Sequence, residues 1–225
     1  MIKNPEIQAI ILAGGKSTRA GTDKQFFEIK DKYLIEITVS KFLKLKEVSN
    51  IILVLSGENI KKYSHLFKGT KITLSEGGET RTQSLVNGSK FIKNRESVIM
   101  VHDGARPFIS ENLIKKLYET ACKKGTAVPA LKLKDTVKEV DEKLKVKKTL
   151  ERNSLRAVQT PQCYSIEIFK KLMENIKDYD FTDDSQIIEK LGYDVFLVEG
   201  EETNIKITTP LDLKIAEVLY EQIER

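Results

Sequence analysis

Tryptophan is absent from this 225-residue chain, and histidine and cysteine each occur only twice. Each shortage excludes something. His65 and His102 are too few for a zinc cluster, which takes about four Cys, His or carboxylate ligands. Cys122 and Cys163 stand far apart with no Cys-x-x-Cys pair, so they read as reduced thiols of a cytosolic protein. Long hydrophobic runs are missing as well. The apolar stretch at residues 10–13 is far too short for a signal peptide or a membrane span, so no membrane and a cytoplasmic location are expected. Aromatics make up 7% of the chain, too few to stud a basic strand face for nucleic acid. Charge of one sign is not concentrated either. The net charge of +5 arises from 38 basic and 33 acidic residues spread along the chain, a balance suited to anionic small-molecule substrates.

What is present is a chain 40% hydrophobic and 32% charged, long enough to bury roughly 70% of its unfolded surface. One domain over residues 1–225 is expected. Apolar, β-branched runs at 7–12, 50–55, 71–74 and 97–102 read as buried strands. Helical spacing follows at 34–45, from Thr80 or Arg81, and at 110–124. Such alternation implies right-handed crossovers and a mostly parallel sheet, the α/β class. Residues 136–150 break the pattern. Two alternating runs flank residues 140–143, predicting a β-hairpin that protrudes as an arm at about 134–152. A helix over 165–176, another capped by Thr182 or Asp183, a strand at 194–198 and a last helix from Pro210 complete the reading.

The loop after the first strand, Ala13-Gly14-Gly15-Lys16-Ser17-Thr18-Arg19-Ala20-Gly21 and on to Lys24, carries the strongest chemical signal. Glycines let backbone amides approach phosphate, and Lys16, Arg19 and Lys24 add positive charge where α/β folds place ligands. Two phosphate motifs fail here. A Walker A loop requires glycine where Ile10 stands, and a GxGxxG fingerprint lacks its third glycine. The loop therefore suits a nucleoside triphosphate, the alternative being a glycine-rich turn with a solvated basic face. Asp103 ends a buried strand, where a carboxylate can hold Mg²⁺ or substrate hydroxyls, or simply cap a turn. Arg106 can reach a substrate or pair with an acid, and His102 supports the strand end.

Seven segments resemble, in order, a known family: AGGKSTRAGTDKQF at 13–26, GGETRTQSLVNG at 77–88, VHDGARPF at 101–108, LKDT at 133–136, RNSLRAVQTPQ at 152–162, TDDSQIIEKLG at 182–192 and VEGEETNIKITTPLDL at 198–213. The family is the cytidylyltransferases that activate a polyol phosphate, most closely the 2-C-methyl-D-erythritol 4-phosphate cytidylyltransferases of the non-mevalonate isoprenoid pathway. The resemblance implies a Rossmann-like domain that transfers CMP from CTP to the polyol phosphate, with Mg²⁺ or another divalent cation. It implies that Arg19 and Lys24 stabilise the α-phosphate, although Asp23 stands where many members have proline. Arg152 and Lys206 would position the sugar phosphate, with Asp103, Arg106, Thr136, Thr160 and Thr182 lining its pocket; Thr182 equally fits a helix cap. CTP would lie among Ala13, Gly14, Gly15, Lys16, Gly77, Gly78, Glu79, Ser84 and Asp103, with Glu79 and Arg81 orienting the second glycine loop. A homodimer through the arm is implied too, Thr136 and Arg152 reaching the neighbouring subunit's pocket. Ribitol-5-phosphate cytidylyltransferases share most of these motifs, and Arg156 stands where many erythritol-phosphate enzymes have an aromatic. A non-catalytic nucleotide-binding or nucleic-acid-binding module is the alternative from another class.

Overall fold

The computed structural model describes residues 5–14, 24–68, 71–93, 95–176 and 183–223; Gly15, Lys16, Arg19, Thr182 and the side chain of Lys24 lie outside it. In chain order the elements are β1 (Glu6–Ala13), β2 (Glu28–Ile29), β3 (Lys32–Tyr33), α1 (Leu34–Leu43), β4 (Val48–Leu55), α2 (Gly57–Tyr63), β5 (Ile72–Glu76), α3 (Arg81–Ser89), β6 (Ser97–Asp103) and α4 (Glu111–Lys124). They continue with β7 (Thr126–Lys132), β8 (Lys138–Val140), β9 (Val146–Thr149), β10 (Arg156–Val158), β11 (Gln162–Ser165), α5 (Ile166–Asn175), α6 (Ser185–Lys190), β12 (Leu197–Glu199) and α7 (Pro210–Ile223).

An eight-stranded sheet runs in the order β10-β7-β11-β6-β1-β4-β5, with β12 added alongside β7. Its β6-β1-β4-β5 half is parallel. Alternate side chains of β1 serve opposite faces, as a strand buried on both sides requires. Ile7, Ala9 and Ile11 join α1 and α4 in one core, while Ile10 and Leu12 join α3, α5 and α6 in the other. A third cluster sets α7, through Leu213, Ala216 and Tyr220, against Phe108 and Ile207. The result is a single α/β domain of helix, sheet and helix layers.

Three helix starts follow their side chains: the oxygens of Thr80, Ser110 and Ser165 accept from the backbone N–H three residues on. Gly88 has a packing role. A methyl group there would lie 2.9 Å from Val54 Cγ2 and 3.1 Å from Ile10 Cγ2, so glycine lets α3 settle onto the sheet.

Several expectations shift. The strand expected at 194–198 is only β12, because the Thr126 hydroxyl donates to Asp194 O and accepts from Phe196 N, replacing ladder partners there. β7, β10, β11 and α2 were not legible. β11 runs antiparallel between β6 and β7, and β10 antiparallel to β7, so the sheet is mostly parallel, as expected, but mixed. The hairpin at 138–149 forms, its strands pairing, among the described residues, only with each other. Val140, Leu144 and Val146 are 42%, 81% and 52% exposed, so its apolar side chains lie bare in a single chain.

Candidate active site

The parallel strands deliver their loops to one edge of the sheet. There Gly14, just after β1, and Gly77, just after β5, meet backbone to backbone. A methyl group on Gly14 would come within 3.3 Å of the Gly77 Cα. Gly77 N donates to Leu55 O, Gly78 N to Ser84 Oγ and Glu79 N to Gln83 Oε1, so α3 itself shapes the second loop. A cavity of about 300 Å³ opens here, lined among others by Gly14, Gln25, Gly78, Glu79, Arg81 and Ser84. Ala13 is buried behind it.

A second cavity of about 330 Å³ adjoins it, lined by Arg106, Gln159, Thr160, Gln162 and Asp183 among others. Arg81, Asp103 and Lys206 line both. These three residues are the common wall, and their charges alternate. Lys206 Nζ lies 2.8 Å from Asp103 Oδ2; Arg81 Nε lies 3.7 Å from Asp103 Oδ1 and its Nη1 2.6 Å from Asp184 Oδ1. Arg106 Nε approaches Asp103 Oδ2 at 3.7 Å. Burial would push the Asp103 carboxyl up, but Lys206 and Arg81 outweigh it and hold the group below the usual carboxylate range. Burial likewise pulls the Arg81 guanidinium down; Asp184 and then Asp103 overcome that and keep it charged.

Local structure explains why Lys206 arrives at this wall. Ile207 is buried under α7, and its N–H donates to Ala105 O. Arg106 Nη1 donates to Asn204 O at 2.8 Å, and Asn204 Nδ2 to Thr160 O. The extended segment 204–207 is thus stitched to the loop after β6, and Lys206 points between the two cavities. Arg106 pairs with an acid, Asp103, and also lines the second cavity.

Beneath the wall, Thr160 Oγ1 accepts from Asp103 N at 3.0 Å and lies 3.1 Å from His102 Nδ1. With its oxygen receiving the amide proton, the hydroxyl donates to Nδ1, and Nε2–H of His102 donates to Arg106 O at 3.0 Å. This network suits a neutral imidazole. Burial pushes the His102 pKa down to about 4. His102 therefore braces the strand end, as expected, and the Thr160 hydroxyl is engaged in that bracing while the residue lines the second cavity.

Thr136 and Arg152 are not brought to the wall by their own chain. Both are exposed at the base of the hairpin, where Arg152 Nη1 donates to Lys134 O. Asp183 caps α6, accepting from Ser185 N and Ser185 Oγ. Two charged residues here are missed by the sequence reading: Arg81 on the wall, read from sequence only as orienting a loop, and Asp184 behind it, whose neighbour Asp183 carries the cap signal.

Against known proteins, the model of the family described as IspD, 2-C-methyl-D-erythritol 4-phosphate cytidylyltransferase, matches residues 7–222. The chain belongs to that family. A Clostridium novyi protein named 2-C-methyl-D-erythritol 4-phosphate cytidylyltransferase is 40% identical over 96% of this chain and 97% of its own. A Bacillus pumilus protein of the same name is 40% identical over 92% and 93%. The crystal structure of 4-diphosphocytidyl-2C-methyl-D-erythritol synthase from Anaerococcus prevotii superposes with a TM-score of 0.87 at 30% identity, covering 98% of this chain and all of that one. Among the described residues no helix is long and apolar enough to cross a membrane.

Proposed function

We propose that this nucleotidyltransferase moves the cytidylyl group of CTP onto 2-C-methyl-D-erythritol 4-phosphate, giving 4-diphosphocytidyl-2-C-methyl-D-erythritol and pyrophosphate. The observation that carries the reading is the shared wall. Two cavities meet at Arg81, Asp103 and Lys206, so a nucleotide in one and a phosphate ester in the other confront each other at a cationic seam. The names borne by the family and its relatives supply methylerythritol phosphate in preference to ribitol phosphate as acceptor.

The chemistry asks for what the wall offers. An oxygen of the acceptor phosphate attacks the α-phosphorus in line; the bond to the β-phosphate oxygen breaks, and its electron pair leaves with pyrophosphate. The nucleophile is already an anion, so no general base is needed. The protein must hold two mutually repelling anions in register and neutralise charge at the α-phosphate. Lys206 exchanges Asp103 for the acceptor phosphate, with Arg106 beside it. Arg19 and Lys24 act on the transferred phosphate and Lys16 on CTP, while Gly14, Gly15, Gly77, Gly78 and Ser84 enclose the base.

Mg²⁺ fits this wall in one way. Among the described residues no cluster of three or more His, Cys, Asp or Glu side chains could cage a cation, yet Mg²⁺ commonly takes one or two carboxylates and completes its shell with phosphates and water. Asp103 is the residue that would hold it. Bound there, the cation supplies further neutralisation of phosphate charge. The chain works in the cytoplasm as one domain, 1–225, and as a homodimer whose arm, at about 134–152, carries Thr136 and Arg152 to the partner's acceptor site, which Thr182 completes.

A pyrophosphate-release assay tests the reading, with CTP and methylerythritol phosphate set against ribitol phosphate and against ATP. Turnover is expected with the first pair alone. Equal rates with ATP would overturn the base assignment, and preference for ribitol phosphate the acceptor.

A further inference from the structure

We propose that Asp184 is a positioning residue for the transfer step, fixing the Arg81 guanidinium on the wall between the two cavities; this rests on the reaction assigned above. Asp184 lines neither cavity. It lies behind Arg81, 4% exposed, with Oδ1 2.6 Å from Arg81 Nη1, and Oδ2 has no hydrogen-bond partner among the described residues. A buried ion pair with one dry oxygen is a poor source of stability, since desolvation offsets much of the attraction. Orientation is the better account of why it is there.

The alternating row Asp184, Arg81, Asp103, Lys206 shows what is being oriented. Arg81 has two carboxylates to choose from, and it sits against Asp184 while standing off Asp103 at 3.7 Å. That choice leaves the near approach to Asp103 to Lys206, at 2.8 Å. Remove the charge of Asp184 and the guanidinium closes on Asp103, competing with Lys206 and crossing the boundary where two phosphates must meet. The start of α6, which carries Asp184, is fixed through its neighbour: Asp183 accepts from Ser185 N and Oγ and from Gln162 Nε2, and Gln162 Oε1 accepts from Ser185 N and Tyr164 OH.

The test compares Asp184→Asn, Asp184→Ser, Asp184→Glu, Arg81→Lys and the Asp184→Asn/Arg81→Lys double variant, measuring kcat, both KM values and the unfolding temperature. Wild-type turnover of CTP with methylerythritol phosphate, run alongside, reports on the reaction assignment separately; its absence would indict that assignment and not Asp184. We expect Asp184→Asn and Asp184→Ser to lose about tenfold or more in kcat, with KM for CTP changed less and the unfolding temperature near wild type. Asp184→Glu should recover part of the loss. The double variant should be no slower than Arg81→Lys alone, as two residues acting as one unit are not additive. Wild-type kcat in a folded Asn or Ser variant overturns the proposal, as do losses that multiply in the double variant. Failure of both uncharged variants to fold would make Asp184 a structural residue and overturn it too.

Discussion

Lys206 Nζ stands 2.8 Å from Asp103 Oδ2, an ion pair whose carboxylate is buried while its ammonium is half in water. The asymmetry suits exchange. The carboxylate stays on the end of β6 with Arg81 and Arg106 each 3.7 Å from it, so the half-exposed lysine can leave it for a phosphate without stranding a buried charge.

Lys206→Ala should therefore remove most turnover and leave the fold intact. If the lost contact resembles an oxyanion donor, about 2.7–4 kcal/mol disappears from the transition state, or 10²–10³-fold in rate. In the proposed reaction Lys206 meets the acceptor before and during the transfer, so both kcat and KM for methylerythritol phosphate should worsen, with KM for CTP held. Steady-state rates at saturating CTP measure this. A variant with near-normal kcat would remove Lys206 from the reaction.

His102 predicts an acid limb of stability. Its pKa is 6.5 unfolded and about 4 in the fold. Above pH 6.5 both states are neutral and the residue contributes nothing to the pH dependence. As pH falls below 6.5 the unfolded chain takes up a proton that the buried imidazole refuses, so stability declines until about pH 4. Between pH 7 and pH 5 the loss should be about 2 kcal/mol. Urea midpoints of wild type and His102→Gln at those two pH values provide the check, and the variant should show a correspondingly flatter dependence. Equal slopes would mean that His102 takes up its proton as readily in the fold as in the unfolded chain.

Gly88→Ala tests how α3 is seated. The added methyl would press on Val54 and Ile10, and overpacking of this kind costs about 1–3 kcal/mol. A lower unfolding temperature is expected. The same outward shift would carry Arg81 and Ser84 off the cavity wall, so KM for CTP should rise in the folded variant. An unchanged melting curve would show that α3 has slack.

Much of this was legible in the chain. β1, β4 and β6 are buried on both faces, so their apolar runs are continuous and their ends stand out as Ala13-Gly14 and Asp103-Gly104. The wall residues Asp103 and Lys206, and Arg106 of the second cavity, could be named because each abuts such an end or a segment stitched to it. The pairing of Arg81 with Asp184 could not, since it is a contact across 103 positions of sequence. Likewise β11 was hidden. It alternates little over four residues, and its place between β6 and β7 follows from packing. Thr126, whose hydroxyl replaces strand partners near Asp194, shortened β12 for a reason invisible in periodicity.

The hairpin carries the last prediction. Val140, Leu144 and Val146 are bare in a single chain, and an isolated two-stranded ribbon is marginal in water. Thr136 and Arg152 flank it, outside the cavity wall of their own chain. A homodimer in which each arm serves the partner's site would cover the apolar side chains and bring both polar residues to work. The arrangement can be tested by mixing. Arg19→Ala and Arg152→Ala proteins should each be nearly inactive alone. In a heterodimer, one site would draw its body from the Arg152→Ala chain and its arm from the Arg19→Ala chain, and carry neither mutation. Random exchange makes half the dimers mixed, each with one intact site of two, so about a quarter of wild-type activity should return. Heterodimer content is read by native mass spectrometry and activity by pyrophosphate release. If mixed dimers form and activity stays at the level of the single variants, Arg152 serves its own subunit, and a monomer in sedimentation would remove the arm's role altogether.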